Sequence, residues 1–286
     1  MTDRPDHMQP STATLYENGP ARVKRCRYGT MLYPVTAPFI GRSLDLYGEY
    51  SEGEARLFCQ VVKPGMTVLD IGANIGAHTL VLARATGPSG MVVAIEPQRA
   101  AVQFLYANLA LNGIYNTRVL HCAVGETTGT IAVPAPDPDR PALGTVQVGA
   151  GAEQVRLATI DSFGLQRLDF AKIDVEGFEA RALRGARETI ARTRPILYVE
   201  NDRAEHSAEL IALLFDMGYA CHWHLPPLFN RANYFRNPDN VFGAVASHNM
   251  LCIPRDREGI ALSGFRAVRS PDDRWAVAVH EATQGQ

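Results

Sequence analysis

The sequence predicts an α/β fold built on a doubly wound, mostly parallel sheet, and three observations carry that expectation. Short runs of strand length alternate with stretches whose apolar residues recur at helical spacing, as Val102, Leu105 and Leu109 do. The strand-like runs are apolar almost throughout, the signature of strands covered on both faces, which requires right-handed crossovers through helices. Glycines such as Gly113 and Gly218 stand where the helical stretches should stop. With 286 residues, 46% hydrophobic and 20% charged, the chain has the length for one large domain with elaborations.

In order along the chain, residues 1–20 are rich in Pro, Ser, Thr and Asp and are expected to form a flexible leader. Residues 21–48 read as an N-terminal β cover punctuated by Gly29 and Pro34. The main domain, residues 49–256, opens at Ser51-Glu52-Gly53-Glu54, whose spacing is that of a capping box, and the helix it starts is closed by Pro64-Gly65. Strands are then expected at 67–71, 91–96, 118–123, 130–133, 155–160, 170–175, 196–200 and 219–225. Helices are expected at 75–85, 100–112, 179–192 and 208–217. Residues 134–151 and 226–243 read as loops, and 249–254 as a last strand lying antiparallel beside 219–225. The remaining 257–286 form a weakly patterned tail.

The formal net charge of -2 gives no basic footprint for phosphate neutralisation, so a nucleic-acid partner is not expected. The five cysteines are scattered and hold no Cys-x-x-Cys pair, which suggests free buried thiols rather than a disulfide framework or zinc site. The first twenty residues lack the apolar run of a secretory signal, and no stretch has the length of a membrane span. A cytoplasmic protein with no membrane partner is expected, and self-association into a homo-oligomer is left open.

Val68-Leu69-Asp70-Ile71-Gly72-Ala73-Asn74-Ile75-Gly76 is a strand that ends in an acid and a glycine turn and opens a helix. Gly72 lets backbone approach a ligand closely, and the helix start offers free amides to a carboxylate. Asn74 stands where a dinucleotide fingerprint would need its middle glycine. Glu96, at the end of the next strand, is placed to accept both ribose hydroxyls. Together these groups suit an adenosine ligand without phosphates, with Asp70 toward its ammonium side.

The stretch from Tyr47-Gly48-Glu49-Tyr50-Ser51 to Glu200-Asn201 resembles the FkbM family of S-adenosylmethionine methyltransferases. The most specific matches are Asp70-Ile71-Gly72-Ala73-Asn74-Ile75-Gly76, Ala123-Val124-Gly125 and Lys172-Ile173-Asp174-Val175-Glu176-Gly177-Phe178-Glu179. The resemblance implies a Rossmann-like class I methyltransferase sheet and S-adenosylmethionine as cofactor, with S-adenosylhomocysteine as product. It also implies O-methylation of a hydroxyl on a sugar, polyketide or related small molecule. By that similarity Asp70, Gly72, Asn74 and Gly76 border the methionine, Ala73 is a further cofactor-binding residue, Glu96 takes the ribose, and Cys122 and Ala123 flank the adenine. Tyr47 and Ser51 close the site, unless the first is a packed aromatic and the second a helix cap.

An alcohol acceptor needs positioning and a route for its proton. Asp174 ends the fourth strand of the main sheet and Glu200-Asn201 the fifth, so the fold should gather three oxygens suited to a divalent ion such as magnesium. The same pattern resembles that of catechol-type metal-dependent methyltransferases, with Glu200 in place of the usual Asp. Without a metal, Asp174 would hold the cofactor's ammonium, Glu176 would cap the next helix and Asn201 would turn the chain. His224, which shares a strand face with His222, is a candidate base. His78 is a second histidine near the cofactor turn, and Phe229, Tyr234 and Phe235 are candidates to roof the acceptor pocket. The competing expectations are a cofactor-binding partner subunit without activity, and a nitrogen or nucleic-acid acceptor.

Overall fold

Strands that are apolar along their whole length have to be buried on both faces, and the fold is arranged around that demand. In the computed structural model, which describes residues 11–135, 153–257 and 264–275, the chain opens with an antiparallel sheet of β1 (Thr14–Asn18), β2 (Ala21–Cys26) and β3 (Gly29–Pro34). Two helices follow, α1 (Ile40–Tyr47) and α2 (Glu52–Val61). Then come β4 (Thr67–Ile71), α3 (Ala77–Thr86), β5 (Met91–Glu96), α4 (Arg99–Leu111) and β6 (Thr117–His121). A small side sheet is made by β7 (Ala123–Val124), β8 (Gly129–Val133) and β9 (Glu153–Ala158). The chain returns through β10 (Phe170–Ile173), α5 (Glu179–Arg184), α6 (Arg187–Thr193), β11 (Ile196–Glu200) and α7 (Ala204–Asp216). It ends in β12 (Tyr219–His224), β13 (Asn249–Pro254) and β14 (Arg266–Ala267).

The main sheet has the order β14-β12-β13-β11-β10-β4-β5-β6. Its centre, β11 through β6, is parallel, and β13 lies antiparallel between β11 and β12. The chain runs outward from β4 to β6 and then crosses back to β10 on the other side of β4. That reversal opens a crevice at the carboxyl ends of β4 and β10, where sheets of this kind take ligands.

Alternation along the strands sorts the core into two layers. Leu69, Ile71, Ala171, Ile173, Leu197 and Val199 face the layer formed by α5, α6 and α7. Val68, Val92, Phe170 and Tyr198 pack with Phe58 of α2 and Val81 and Leu82 of α3. Leu105 and Leu109 of α4 join Met31 and Tyr33 of β3 and Ile40 and Leu44 of α1, which ties the N-terminal sheet to the domain.

The structure departs from expectation in four places. Part of the segment read as leader is β1, which pairs with β2. The β cover contains α1, whose Ile40, Leu44 and Tyr47 bury one helical stripe. The helix expected over 179–192 is broken at Gly185-Ala186, because Gly185 sits so close to the side sheet that a Cβ would meet the Gly125 carbonyl at 2.0 Å. Asp161 then caps the second piece, its carboxylate accepting the Thr189 amide at 2.8 Å. Within the tail, β14 pairs with β12. The expected loop at 134–151 falls almost wholly outside the described residues.

Phe58 meets Phe170, Tyr198 and His78 edge-on, at ring-centroid distances of 5.7, 5.0 and 5.2 Å, and so carries the docking of α2 onto the sheet. Phe58→Ala should cost about 3–5 kcal/mol of unfolding free energy in urea titration. A loss below about 1 kcal/mol would show that this contact does not anchor the helix.

Candidate active site

The carboxyl ends of β4, β5, β10 and β11 enclose a cavity of about 340 Å³. Its floor is Gly72, Ala73, Asn74, Glu96, Lys172, Asp174 and Glu200, and its walls include Phe39, Tyr50, His78, Leu228, Val245 and His248.

The turn after β4 is shaped by close packing. Gly72 has φ +79°, and a Cβ there would lie 1.8 Å from the Asp174 carbonyl oxygen, so the ends of β4 and β10 touch through it. Asn74 follows with φ +49° and donates its amide to Glu96 Oε2 at 2.8 Å, while Gln98 donates to Glu96 Oε1 at 2.9 Å. The Glu96 carboxylate is therefore fixed by two loops at once. Burial pushes its pKa up to about 7 against the pull of those amides. Gly76 serves packing instead of ligand approach, since a Cβ there would meet Leu105 Cδ1 at 2.5 Å.

A buried charge cluster lies beneath the turn. Lys172, 2% exposed, places Nζ 2.9 Å from Asp174 Oδ2, 3.6 Å from Asp70 Oδ1 and 3.4 Å from the Gly72 carbonyl. Burial alone would pull the ammonium down, but Asp174 and Asp70 outweigh it and hold Lys172 charged. Burial likewise opposes charge on Asp174, and Lys172 reverses the balance to keep that carboxyl below its usual range. Asp70 is fully enclosed and accepts the Thr79 hydroxyl at 2.6 Å. Burial, with Lys172, pulls His78 down to about 4, so its imidazole is neutral.

On the far side of Asp174 stand Glu176 and Glu200, and oxygens of these three carboxyls lie within 4.8 Å of one another. Glu176, at φ +54°, is paired with Arg203. Burial and then the Asp174 charge push Glu200 well above its usual pKa. Glu179 accepts the Val175 and Gly177 amides at 3.0 and 3.1 Å and pins the loop that carries Glu176, so Glu179, and not Glu176, orders the start of α5.

Of the residues expected from sequence, Gly72, Ala73, Asn74, Glu96, Asp174 and Glu200 line the cavity, and so does His78. Asp70 and Gly76 support it from behind. Tyr47 is a packed aromatic against Phe229 and Phe242, its hydroxyl donating to the Asp239 carbonyl. Ser51 has φ +41° and donates to Glu54 Oε1 at 2.6 Å instead of capping a backbone amide. Cys122 and Ala123 are buried, the first in the main core and the second under the side sheet, and neither reaches the cavity. Asn201 turns inward with Nδ2 3.5 Å from Met250 Sδ, so the trio Asp174, Glu200 and Asn201 is not assembled. His224 shares a face with His222 as expected, but its Nδ1 meets the Tyr198 hydroxyl at 2.8 Å and its ring packs on Phe265, away from the cavity. Tyr234 and Phe235 pack around Gly48, and the wall is supplied by Leu228 and residues 245–248.

Sequence reasoning passed over Lys172 as a functional residue, together with Tyr50, Asp202 and His248. Lys172 carried a usable signal, since a lysine within the four-residue strand Phe-Ala-Lys-Ile must find a partner inside the protein. His248 carried none, because it reaches the cavity through a loop.

Gly72→Ala should destabilise the fold by about 1–3 kcal/mol from the left-handed backbone alone, with the clash on Asp174 adding to it. An unchanged urea midpoint would contradict the close meeting of β4 and β10.

The chain is similar to several known proteins. Methyltransferase sdnD of Sordaria araneosa is 27% identical, across 42% of this chain and 60% of its own length. The structure of methyltransferase FkbM from Methylobacillus flagellatus KT is 22% identical over 69% of this chain and 50% of its own, with a TM-score of 0.44. An S-adenosylmethionine-dependent methyltransferase from Aquifex aeolicus is 20% identical over 73% of this chain and 92% of its own, with a TM-score of 0.38. This chain thus spans 60% and 50% of the lengths of the first two relatives. Residues 70–221, just over half of the sequence, match the model of the methyltransferase FkbM domain from the acid ending β4 to the middle of β12, and the chain belongs to that family.

Proposed function

We propose that this protein transfers the methyl group of S-adenosylmethionine to a hydroxyl oxygen of a small molecule such as a sugar, glycoside or related metabolite. The observation that carries the proposal is the charge of the cavity: Asp174, Glu176, Glu200 and Asp202 line its acceptor end, while Lys172 is the one Lys or Arg lining it among the described residues. A phosphate-bridged nucleotide would bring further negative charge beside those carboxylates, whereas a sulfonium nucleoside brings positive charge. The same field disfavours sugar phosphates, carboxylates and nucleic acid as acceptors.

The residues present fit the cofactor. Glu96 is set to accept ribose hydroxyls, the Gly72 turn lines the cavity with its backbone, and the start of α3 offers amides to a carboxylate. S-adenosylmethionine supplies a methyl group on a sulfur that is already a good leaving group. The protein's share is then to orient the acceptor and take its proton. Glu200 is the group assigned to proton removal, because its raised pKa makes it the stronger base once ionised. Asp174 presents charge to the reacting end. No ion is assigned, since Lys172 engages Asp174 and Arg203 engages Glu176. A cytoplasmic setting is part of this reading, and the free thiols of Cys221 and Cys252, opposite each other on β12 and β13, support it. Among the described residues no helix is long and apolar enough to cross a membrane.

Calorimetry with S-adenosylhomocysteine should give a dissociation constant in the micromolar range (roughly −8 kcal/mol), and absence of heat would reject the cofactor assignment. Because Glu96 titrates near 7 and its ionised form accepts the ribose hydroxyls, affinity should be full above that pH and weaken as pH falls through it. Glu96→Gln should weaken binding by about 1.5–3 kcal/mol and flatten the profile; a pH dependence that survives the substitution would clear Glu96 of the role. With a neutral glycoside acceptor, Asp174→Ala should abolish turnover and Glu200→Gln should lower kcat by about 10²- to 10⁴-fold. Full turnover by either folded variant removes that residue from the mechanism.

A further inference from the structure

Two carboxyl groups from neighbouring strands close on a single ammonium: Asp70 of β4 and Asp174, just past β10, lie 3.6 and 2.9 Å from Lys172 Nζ, and the charge of Glu54 of α2 acts on it more weakly. Lys172 cannot reach solvent, and Asp70 Oδ1, 3.6 Å from Nζ, has no hydrogen-bond donor. One cation against these acids leaves the cluster with surplus negative charge, and Asp174, whose side chain is 35% exposed, is the member that presents it to the cavity. Glu96 and Asp174 end the strands on either side of β4. Two strand spacings, about 10 Å, therefore separate the ribose-binding acid from the acid that Lys172 holds. A ligand with its ribose on Glu96 has its sulfonium directed across Gly72 toward Asp174.

We propose that Lys172 is a positioning residue that sets charge specificity at this end of the cavity: by fixing Asp174 against β4 it makes the floor favour a cationic methyl donor over the uncharged thioether product. The proposal rests on the S-adenosylmethionine reading above. A buried lysine of this kind acts through Asp174 and not by touching the ligand's ribose or base. Its removal frees the carboxylate to leave the floor, while the Gly72 turn and Glu96, held by backbone amides, stay in place. Such a device favours product release, because transfer of the methyl group removes the positive charge that the floor is built to meet.

The test is calorimetry with two ligands, S-adenosylhomocysteine and its amine analogue, in which a protonated amine stands in place of the sulfonium. Wild-type protein should bind the amine analogue about tenfold or more tighter than the thioether. In Lys172→Met the ratio should fall to within about threefold, while the thioether's own affinity changes little. Asp174→Asn should lose the preference equally, and the double variant should show no further loss, since the two residues act as one unit. A folded Lys172→Met that keeps the full preference, or losses that multiply in the double variant, would overturn the proposal. If Lys172→Met does not fold, Asp174→Asn probes the same contact from its exposed partner, and an undiminished preference there is equally fatal. Failure of wild-type protein to bind either ligand would defeat the cofactor reading itself, whereas equal binding of both would defeat only the role given to Lys172.

Discussion

The ends of β4 and β10 meet at a distance that only glycine permits, and the site is built on that meeting. Gly72 brings its backbone against Asp174, and Lys172 reaches between the two strands to satisfy the acids that the approach forces together. Strands buried on both faces tolerate polar groups only where those groups are paired or where the strand leaves the core. Both conditions hold here, so the chemistry gathers at the carboxyl ends and the buried cation becomes its foundation. The reversal of chain direction beside β4 then decides that the crevice opens above this pair and not elsewhere along the sheet.

Electrostatics and geometry support one another at this point. Glu96 is held by amides from two loops, so a ligand meets a carboxylate already oriented for it. Asp174 is held by an ammonium that cannot move away without leaving a buried charge unpaired. Glu200 lies next to both Asp174 and Glu176; burial first and then the charge of Asp174 raise its pKa, and that same negative charge makes the mouth of the cavity unwelcoming to anions. In the proposed reaction Glu96, Asp174 and Glu200 divide into one that recognises ribose, one that presents charge and one that receives a proton, each defined by what surrounds it.

How much of this was legible follows from what a strand's sequence specifies. Period and position determine which residue stands at a strand's carboxyl end, so the placement of Gly72, Glu96, Asp174 and Glu200 at the crevice could be read from spacing. The period also placed His222 and His224 on one face correctly. It could not tell where that face looks, because β13 inserts between β11 and β12 and carries β12 away from the crevice, leaving His224 to Tyr198 and Phe265. Asn201 was misplaced for a related reason. Its amide bonds to the His248 carbonyl at 2.7 Å, and the turn so formed points its side chain at Met250. Tyr47 sits in helix α1, which was not recognised, and Ser51, at the expected start of α2, has a left-handed backbone that turns its hydroxyl to Glu54 instead of to a helix amide. Walls made by loops, such as His248 and Leu228, depend on long-range packing that no local pattern records.

The most direct measurement of the central claim is a crystal structure of the protein grown with S-adenosylhomocysteine. The account predicts the ribose hydroxyls on Glu96, the chain crossing Gly72, and the sulfur facing Asp174 with Lys172 unmoved beneath it. Density for the nucleoside in any other pocket, or a phosphate-bridged nucleotide retained in this one, would contradict it.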